Sequence, residues 1–413
     1  MEIKWKKNTA LFLTGQALSL FGTMVVQYAI LWHITLKSQS GSMMTVFTLI
    51  GFLPMFFISP FAGVWADRFN RKNIINIADG SIAFFSLIVA VLLIVGIDSY
   101  VILLLCAFVR SLGQGVQMPA VGAFIPQIVP EKHLTRINGF QSSIQSTVTL
   151  ISPMLSGALM TFAPLQALFF LDVVTAIIGI SIVFFFVKIP SRGTPPDDAS
   201  KQNKGRYLYD LKQGINYIRK NGYVSRMILL SAIFMFLFAP AAFLTPLQVV
   251  RDFGQDIWRL PAIEITFSIG MMAGGILIGI WGGFKNRIYT MTLSCLMCGV
   301  LAVGLGIAPW FWLYLLIMGL LGVSMPLYNA PSMVLLQTTV EPAFMGRVIS
   351  VFTMVSSTMM PLGMMVFGPF ADMVSIDLLL IVTGLLVTLL AVPMVASKTL
   401  RDAGVRHLQN NED

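Results

Sequence analysis

Five ionisable residues fall inside or at the ends of long apolar stretches of this sequence: Asp79, Arg110, Asp172, Glu264 and Asp372. A charge at membrane depth costs about 2.5–3.5 kcal/mol on insertion scales, so each of them needs a partner or a task. A buried carboxyl can exchange a proton or neutralise a cation, and a guanidinium can hold carboxylates or backbone carbonyls. Glu264 stands shortly after Pro261, early in its apolar run. It is either a group that alternates between a proton and a cationic ligand or one half of a structural pair with Arg259 or another polar group. Arg110, midway along its run, is either coupled to a proton-exchanging carboxylate or a packing residue held by carbonyls. Structural readings are favoured for the rest. Asp79 would bridge to Arg71 or Lys72, Asp172 would serve packing or folding, and Asp372 would reach water at the outer interface, where His33 also lies.

Two uncharged stripes stand out among apolar neighbours. Gln16, Ser19, Thr23 and Gln27 recur at helical spacing, and so do Asn138, Gln141, Gln145, Thr149 and Ser152, so each set is one helix face. A polar face at membrane depth is satisfied by another helix or by a water-filled cavity.

The elements that must hold these residues follow from composition. The 413 residues are 56% hydrophobic and 11% charged, far from the balance of an ordinary soluble domain. Apolar runs long enough to span lie near residues 9–36, 42–66, 74–96, 100–128, 137–163 and 165–189, then 224–250, 260–283, 288–308, 310–336, 346–371 and 376–397. The first run, after Lys4, Lys6 and Lys7, shows no small-residue cleavage site and reads as a retained span. With a cytoplasmic N-terminus, 23 of the 27 basic residues fall in cytoplasmic segments and only Lys37, Arg251 and Arg259 outside. That bias orients both termini to the cytoplasm of a bacterial cell membrane, and it explains the net charge of +9 without nucleic acid.

The expected fold is therefore an all-α membrane protein of twelve transmembrane helices in two pseudo-symmetric six-helix bundles, residues 1–190 and 223–398, with a cytoplasmic linker at 191–222 and a tail at 399–413. In the linker Leu208, Leu211, Ile215 and Ile218 predict a short amphipathic helix on the cytoplasmic surface. The halves repeat. Gly63, Trp65, Asn70 and Arg71 match Gly279, Trp281, Asn286 and Arg287 at an offset of 216, and Gln127 and Glu131 match Gln337 and Glu341 at 210. Duplicated halves with a ligand near the midplane are a transporter architecture.

Other classes fit less well. The dipeptide Gly-Lys is absent, so the chain carries no phosphate-cradling loop for ATP, and a partner ATPase would have to supply any hydrolysis. Only three histidines are present, with His133 and His407 outside the spans, which speaks against an intramembrane enzyme. Cys106, Cys295 and Cys298 lie in spans, away from disulfide chemistry, and neither a metal nor another cofactor is expected. A non-transporting membrane sensor or scaffold remains the alternative of another class.

The segment Gly63-Val-Trp-Ala-Asp67-Arg68-Phe-Asn70-Arg71-Lys72 resembles the signature loop of the major facilitator superfamily, Gly-x-x-x-Asp-Arg-x-Gly-Arg-Lys, with Asn70 for the second glycine. Asparagine, like glycine, tolerates positive φ, so the turn should survive. Gly63 would permit close helix packing, and Arg68 and Arg71 would stay with the cytoplasmic leaflet. The resemblance implies that Asp67 latches against the start of the eleventh span near Gly346. Arg110-Ser-Leu-Gly113-Gln114-Gly115 is similar to the family's Arg-x-x-Gln-Gly stretch, and Ser152-Pro153-Met-Leu-Ser156-Gly157 resembles the Gly-Pro-x-x-Gly-Gly element of its drug/proton antiporters.

Phe52-Leu53-Pro54, Arg110-Ser111, Ile151-Ser152-Pro153 and the Glu264 to Gly275 segment resemble the macrolide-efflux branch, which sits beside exporters of tetracycline, chloramphenicol and a siderophore. The resemblance implies a monomeric secondary exporter of amphipathic small molecules, driven by protons. It puts Glu264 on a helix bordering the central cavity, Asp172 on a peripheral one, and both polar stripes at a cavity wall. Phe234, Phe238 and Tyr328, with Met325 and Met354, are candidates for an adaptable apolar lining.

Overall fold

The computed structural model describes residues 2–187 and 213–401, without the side chains of residues 2–4, 67 and 343. The described residues form helices α1 (Glu2–Ser38), α2 (Gly41–Arg68), α3 (Arg71–Ile94), α4 (Tyr100–Ile128), α5 (Leu134–Phe162) and α6 (Leu165–Ser181), the last prolonged by a π turn, Ile182–Phe186. Then follow α7 (Gly222–Phe243), α8 (Thr245–Asp252), α9 (Arg259–Trp281), α10 (Arg287–Gly306), α11 (Phe311–Thr339), α12 (Pro342–Phe370) and α13 (Ile376–Ala396).

Among the described residues, 11 helical stretches are long and apolar enough to cross a membrane, with α7 and α8 counted as one. The helix left out is α5, which has 29 residues and is diluted by its polar stripe. The seventh span, expected as one rod, is broken at Leu244 between α7 and α8. Pro246, in the first turn of α8, has no N–H to give and its ring opposes a carbonyl of the preceding turn.

Two compact units emerge. One holds α1, α2 from Val46 onward, α3 to α6, and Asp256–Pro261; the other holds Gln39–Thr45, α7, α8, α9 from Ala262, and α10 to α13. Inside the first unit α1 packs on α5 and α6, and α3 packs on α4 and α6. Inside the second α7 packs on α12 and α13, and α10 packs on α11 and α13. Each pairing in one unit thus has its counterpart in the other, as the sequence repeat requires. Close approach of α9 and α11 rests on missing side chains, because a Cβ on Gly270, Gly274 or Gly322 would strike the facing backbone.

The repeated Asn has a local job in both units. Asn70 caps α3 by accepting from the Lys72 N–H, and Asn286 caps α10 by accepting from the Ile288 N–H. Asn70 sits at φ −65°, so the turn does not use positive φ as expected; it uses the side-chain oxygen instead. The second copy differs: its helix stops at Trp281, and Gly282 and Gly283 turn the chain at φ +72° and +81°.

Of the linker, residues 213–220 are helical, while Leu208 and Leu211 lie outside the described residues. This helix docks on the start of α12. Tyr217 stacks on Phe344 at 4.8 Å, and the Arg347 guanidinium donates to Gln213 Oε1 at 2.5 Å.

Candidate functional site

In the first unit α1, α3, α4 and α6 bring polar groups into one buried network. Arg110 of α4 donates to Asp172 Oδ2 of α6 at 2.6 Å, to the Thr23 carbonyl of α1 at 2.6 Å and to Ser86 Oγ of α3 at 2.8 Å. Ser86 in turn donates to Asp172 Oδ2 at 2.7 Å. Arg110 and Asp172 are both fully buried. Arg110 therefore has its partner, and Asp172, for which packing or folding was the expected role, is buried where α6 meets α4.

Asp79 of α3 lies next to this cluster and is also buried. It accepts from Ser19 Oγ at 2.9 Å and from Gln117 Nε2 at 2.6 Å, and Gln117 also donates to Gln16 Oε1 at 3.3 Å. The expected bridge to Arg71 or Lys72 does not form. Arg71 folds back onto the Ala66 and Ala123 carbonyls, joining the ends of α2 and α4, and Lys72 binds the Phe184 and Val187 carbonyls at the end of α6. The α-helical period explains the miss: Asp79 is two turns into α3, on the face that meets α1 and α4.

The two polar stripes part company. On α1, Gln16, Ser19 and Thr23 point into the network, and Gln27 is half-buried near Gly51. On this face Ser19 and Thr23 are held by contacts with other helices, while Gln16 and Gln27 stay partly exposed. On α5, Asn138, Gln145 and Thr149 are exposed and Gln141 is half-buried, so this stripe needs water where it lies. Below it, Ser152, Pro153, Ser156 and Gly157 are buried. Ser156 donates to the Val25 carbonyl of α1, and a Cβ on Gly157 would run into the Pro261 ring. Between α1 and α5 lies an apolar cleft of about 480 Å³ lined by Leu13, Ala17, Phe21, Phe140, Ile144 and Val148.

Glu264 is half-buried in the second turn of α9 and has no hydrogen-bond or ion-pair partner among the described residues. Arg259, its expected structural partner, pairs with Asp256 at 2.8 Å. Phe234, Phe238 and Tyr328, candidates for an apolar lining, are buried in the core of the second unit. Phe234 stacks on Tyr328 at 4.3 Å, and the Tyr328 hydroxyl shares a hydrogen bond with Ser231 at 2.9 Å. Gln114 is half-buried on α4; its neighbour one turn away, Gln117, makes the contacts.

At the signature loop, Arg68 is exposed and the Asp67 side chain lies outside the described residues. A Cβ on Gly63 would meet nothing within 4 Å, so close packing does not explain that glycine here. Asp372, expected simply to reach water, is a cap. It accepts from the Gly41 N–H at 2.7 Å, the Ser42 N–H at 2.8 Å and Ser40 Oγ at 2.9 Å, and pairs with Arg251 at 3.1 Å. Partial burial alone would raise its carboxyl, yet the Ser42, Gly41 and Ser40 hydrogen bonds outweigh it and hold the group at about 2. In the loop between α3 and α4, burial of Asp98 is similarly outweighed by Lys37 and His33, which keep it below the usual range.

Sequence reasoning missed Ser86 and Gln117. Ser86 is a lone serine in an apolar run, and only Gln117's spacing of three from Gln114 hinted at a shared face.

A model of the Major Facilitator Superfamily matches residues 11–364. The chain is 29% identical over 395 residues to "Macrolide efflux protein A" of Streptococcus pyogenes, covering 95% of this chain and 96% of that one. It is 30% identical over 328 residues to "Macrolide efflux protein A" of Enterococcus faecalis, covering 79% of this chain and all of that one. Among solved structures, a D-xylose–proton symporter matches the fold with a TM-score of 0.68 at 13% identity, covering 95% of this chain and 98% of the symporter.

Proposed function

The chain belongs to the major facilitator superfamily, a family of membrane transporters and not of enzymes, and on that premise we propose that it exports amphipathic drugs, macrolide antibiotics first among them, by proton antiport with alternating access. The observation that carries the substrate class is the pair of macrolide efflux relatives at 29–30% identity, one of them aligned over nearly the whole of both chains. In this reading both termini are cytoplasmic, the working unit is one chain, and the energy comes from protons without a cofactor.

Two features support the coupling. Glu264 is a carboxylate on a spanning helix with no partner among the described residues, so it is free to alternate between a proton and a cationic drug. The exposed polar face of α5 gives water and drug a hydrogen-bonding surface at membrane depth, beside an apolar cleft suited to the greasy part of an amphipathic molecule. Asp67, Arg68 and Arg71 form the latch loop that controls opening to the cytoplasm. One charge moved across 100 mV is worth about 2.3 kcal/mol, so at roughly 150 mV one exchanged proton supports a drug gradient of a few hundred-fold.

The test is export from proteoliposomes of a radiolabelled panel containing a macrolide, tetracycline, chloramphenicol and a ferric siderophore, with and without a protonophore. Macrolide extrusion that collapses with the protonophore is the expected result. Extrusion of another panel member alone would reassign the substrate, export indifferent to the protonophore would reject antiport, and no flux of any compound would favour a sensor or scaffold.

A further inference from the structure

We propose that Asp79 is a proton-binding site of the first unit, reached from the half-exposed surface of α1 and α4 past the carboxamides of Gln16 and Gln117. The proposal rests on the antiport reading for its use in transport, but not for its existence.

The argument begins with charge. The network holds two carboxylates, Asp79 and Asp172, and one guanidinium, Arg110. Arg110 directs its two terminal nitrogens to Asp172, Ser86 and the Thr23 carbonyl, and its buried Nε makes no hydrogen bond to Asp79. Asp79 receives only neutral donors, Ser19 at 2.9 Å and Gln117 at 2.6 Å. The elements packed around it bring no second cation. α1 offers Gln16 and Ser19; α4 offers Gln117 and, deeper, Arg110 and Cys106; α6 offers Asp172, whose charge repels a carboxylate at Asp79. One negative charge too many is buried in this cluster unless Asp79 takes a proton, and the balance is simple: carboxylate plus proton gives carboxylic acid, with no other bond changed.

Access is the second observation. Asp79 is 4% exposed, yet Gln117, which bonds it directly, and Gln16, which bonds Gln117, are both half-exposed. The carboxyl is therefore one side chain from the partly exposed surface of α1 and α4. A purely structural hub would need the same hydrogen bonds but no exchange, and asparagine would serve it nearly as well, since its carbonyl accepts from Ser19 and Gln117.

The experiment is infrared difference spectroscopy of the purified full-length protein, titrated between about pH 5 and about pH 9. Wild type and Glu264→Gln should both show a carboxylic-acid carbonyl band that fades as the pH rises. Asp79→Asn should lack it, and Asp79→Glu should show it at a shifted frequency. An unchanged band in Asp79→Asn would overturn the proposal, as would a band that fades only when sodium is present. Should Asp79→Asn fail to fold, the Asp79→Glu spectrum decides, because a band that does not move cannot belong to residue 79. Wild-type export indifferent to a protonophore, with the band titrating and absent from Asp79→Asn, would reject antiport while upholding the site.

Discussion

The guanidinium of Arg110 and the carboxylate of Asp172 meet at 2.6 Å, both side chains being 1% exposed. They come from α4 and α6, 62 residues apart, and α3 supplies the serine that bonds to both. Together with the Thr23 carbonyl, this pair ties four helices of one unit to a single point.

Removing one partner should therefore cost far more than removing both. Asp172→Leu leaves a buried guanidinium uncompensated and Arg110→Met leaves a buried carboxylate, each expected to lose about 3–5 kcal/mol, whereas the double variant should recover most of the loss. Thermal unfolding of the three variants in detergent measures this. A double variant as unstable as the worse single one would mean that the shape of the pair matters more than its charge.

The stripes of α1 and α5 should differ in reactivity. In a background lacking Cys106, Cys295 and Cys298, Gln145→Cys and Thr149→Cys should react with a small water-soluble thiol reagent at least about tenfold faster than Ser19→Cys and Thr23→Cys. Substrate should slow the first two only. Equal rates on both helices would remove the distinction between a wet face and a packed one.

Those stripes mark the limit of what sequence shows. Period and polarity located both faces and the spans, because each depends on neighbours within a few residues. Which face meets water depends on helices distant in sequence. Gln16 and Gln145 carry the same side chain at the same kind of position, yet one bonds Gln117 and the other is exposed. Asp79 was assigned to the nearest cations, Arg71 and Lys72, when its partners are 60 and 38 residues away. The signature loop was legible as a motif, but the cap role of Asn70 was hidden by its similarity to glycine.

The cap at Asp372 makes a prediction about acid. Its carboxyl is held at about 2, below the ordinary 3.8, so its contribution is complete above about pH 4 and is lost as the pH falls through about 2. Hydrogen exchange at the first turn of α2 should accelerate over that window in the wild type. In Asp372→Asn exchange should be faster already at neutral pH and change little on acidification. A wild-type profile flat between about pH 4 and about pH 2 would show that the carboxylate does not hold that turn.

Glu264→Gln separates charge from shape. Glutamine keeps the volume and the hydrogen-bonding capacity, so a packing role predicts little change. Under the coupling role, uphill export of a cationic substrate should be abolished and the pH dependence of its binding flattened between about pH 5.5 and about pH 8.5, with a neutral substrate affected less. An unaltered pH profile would move the role to another carboxylate.

The glycine pair at Gly282 and Gly283 means that the two copies of the signature loop are no longer interchangeable parts. In the first copy the same register is occupied by Ala66 and Asp67 in helical conformation; in the second, two residues at positive φ end the helix after Trp281. An L-residue forced into that conformation loses about 1–2 kcal/mol at each position. Writing the alanine and aspartate of the first loop into the second would thus press the chain to wind on past Trp281, and grafting the glycines into the first would replace Asp67 itself and let α2 end after Trp65. The ancestral symmetry survives in which helices touch, and it has been broken at the turn that follows the second span of each half.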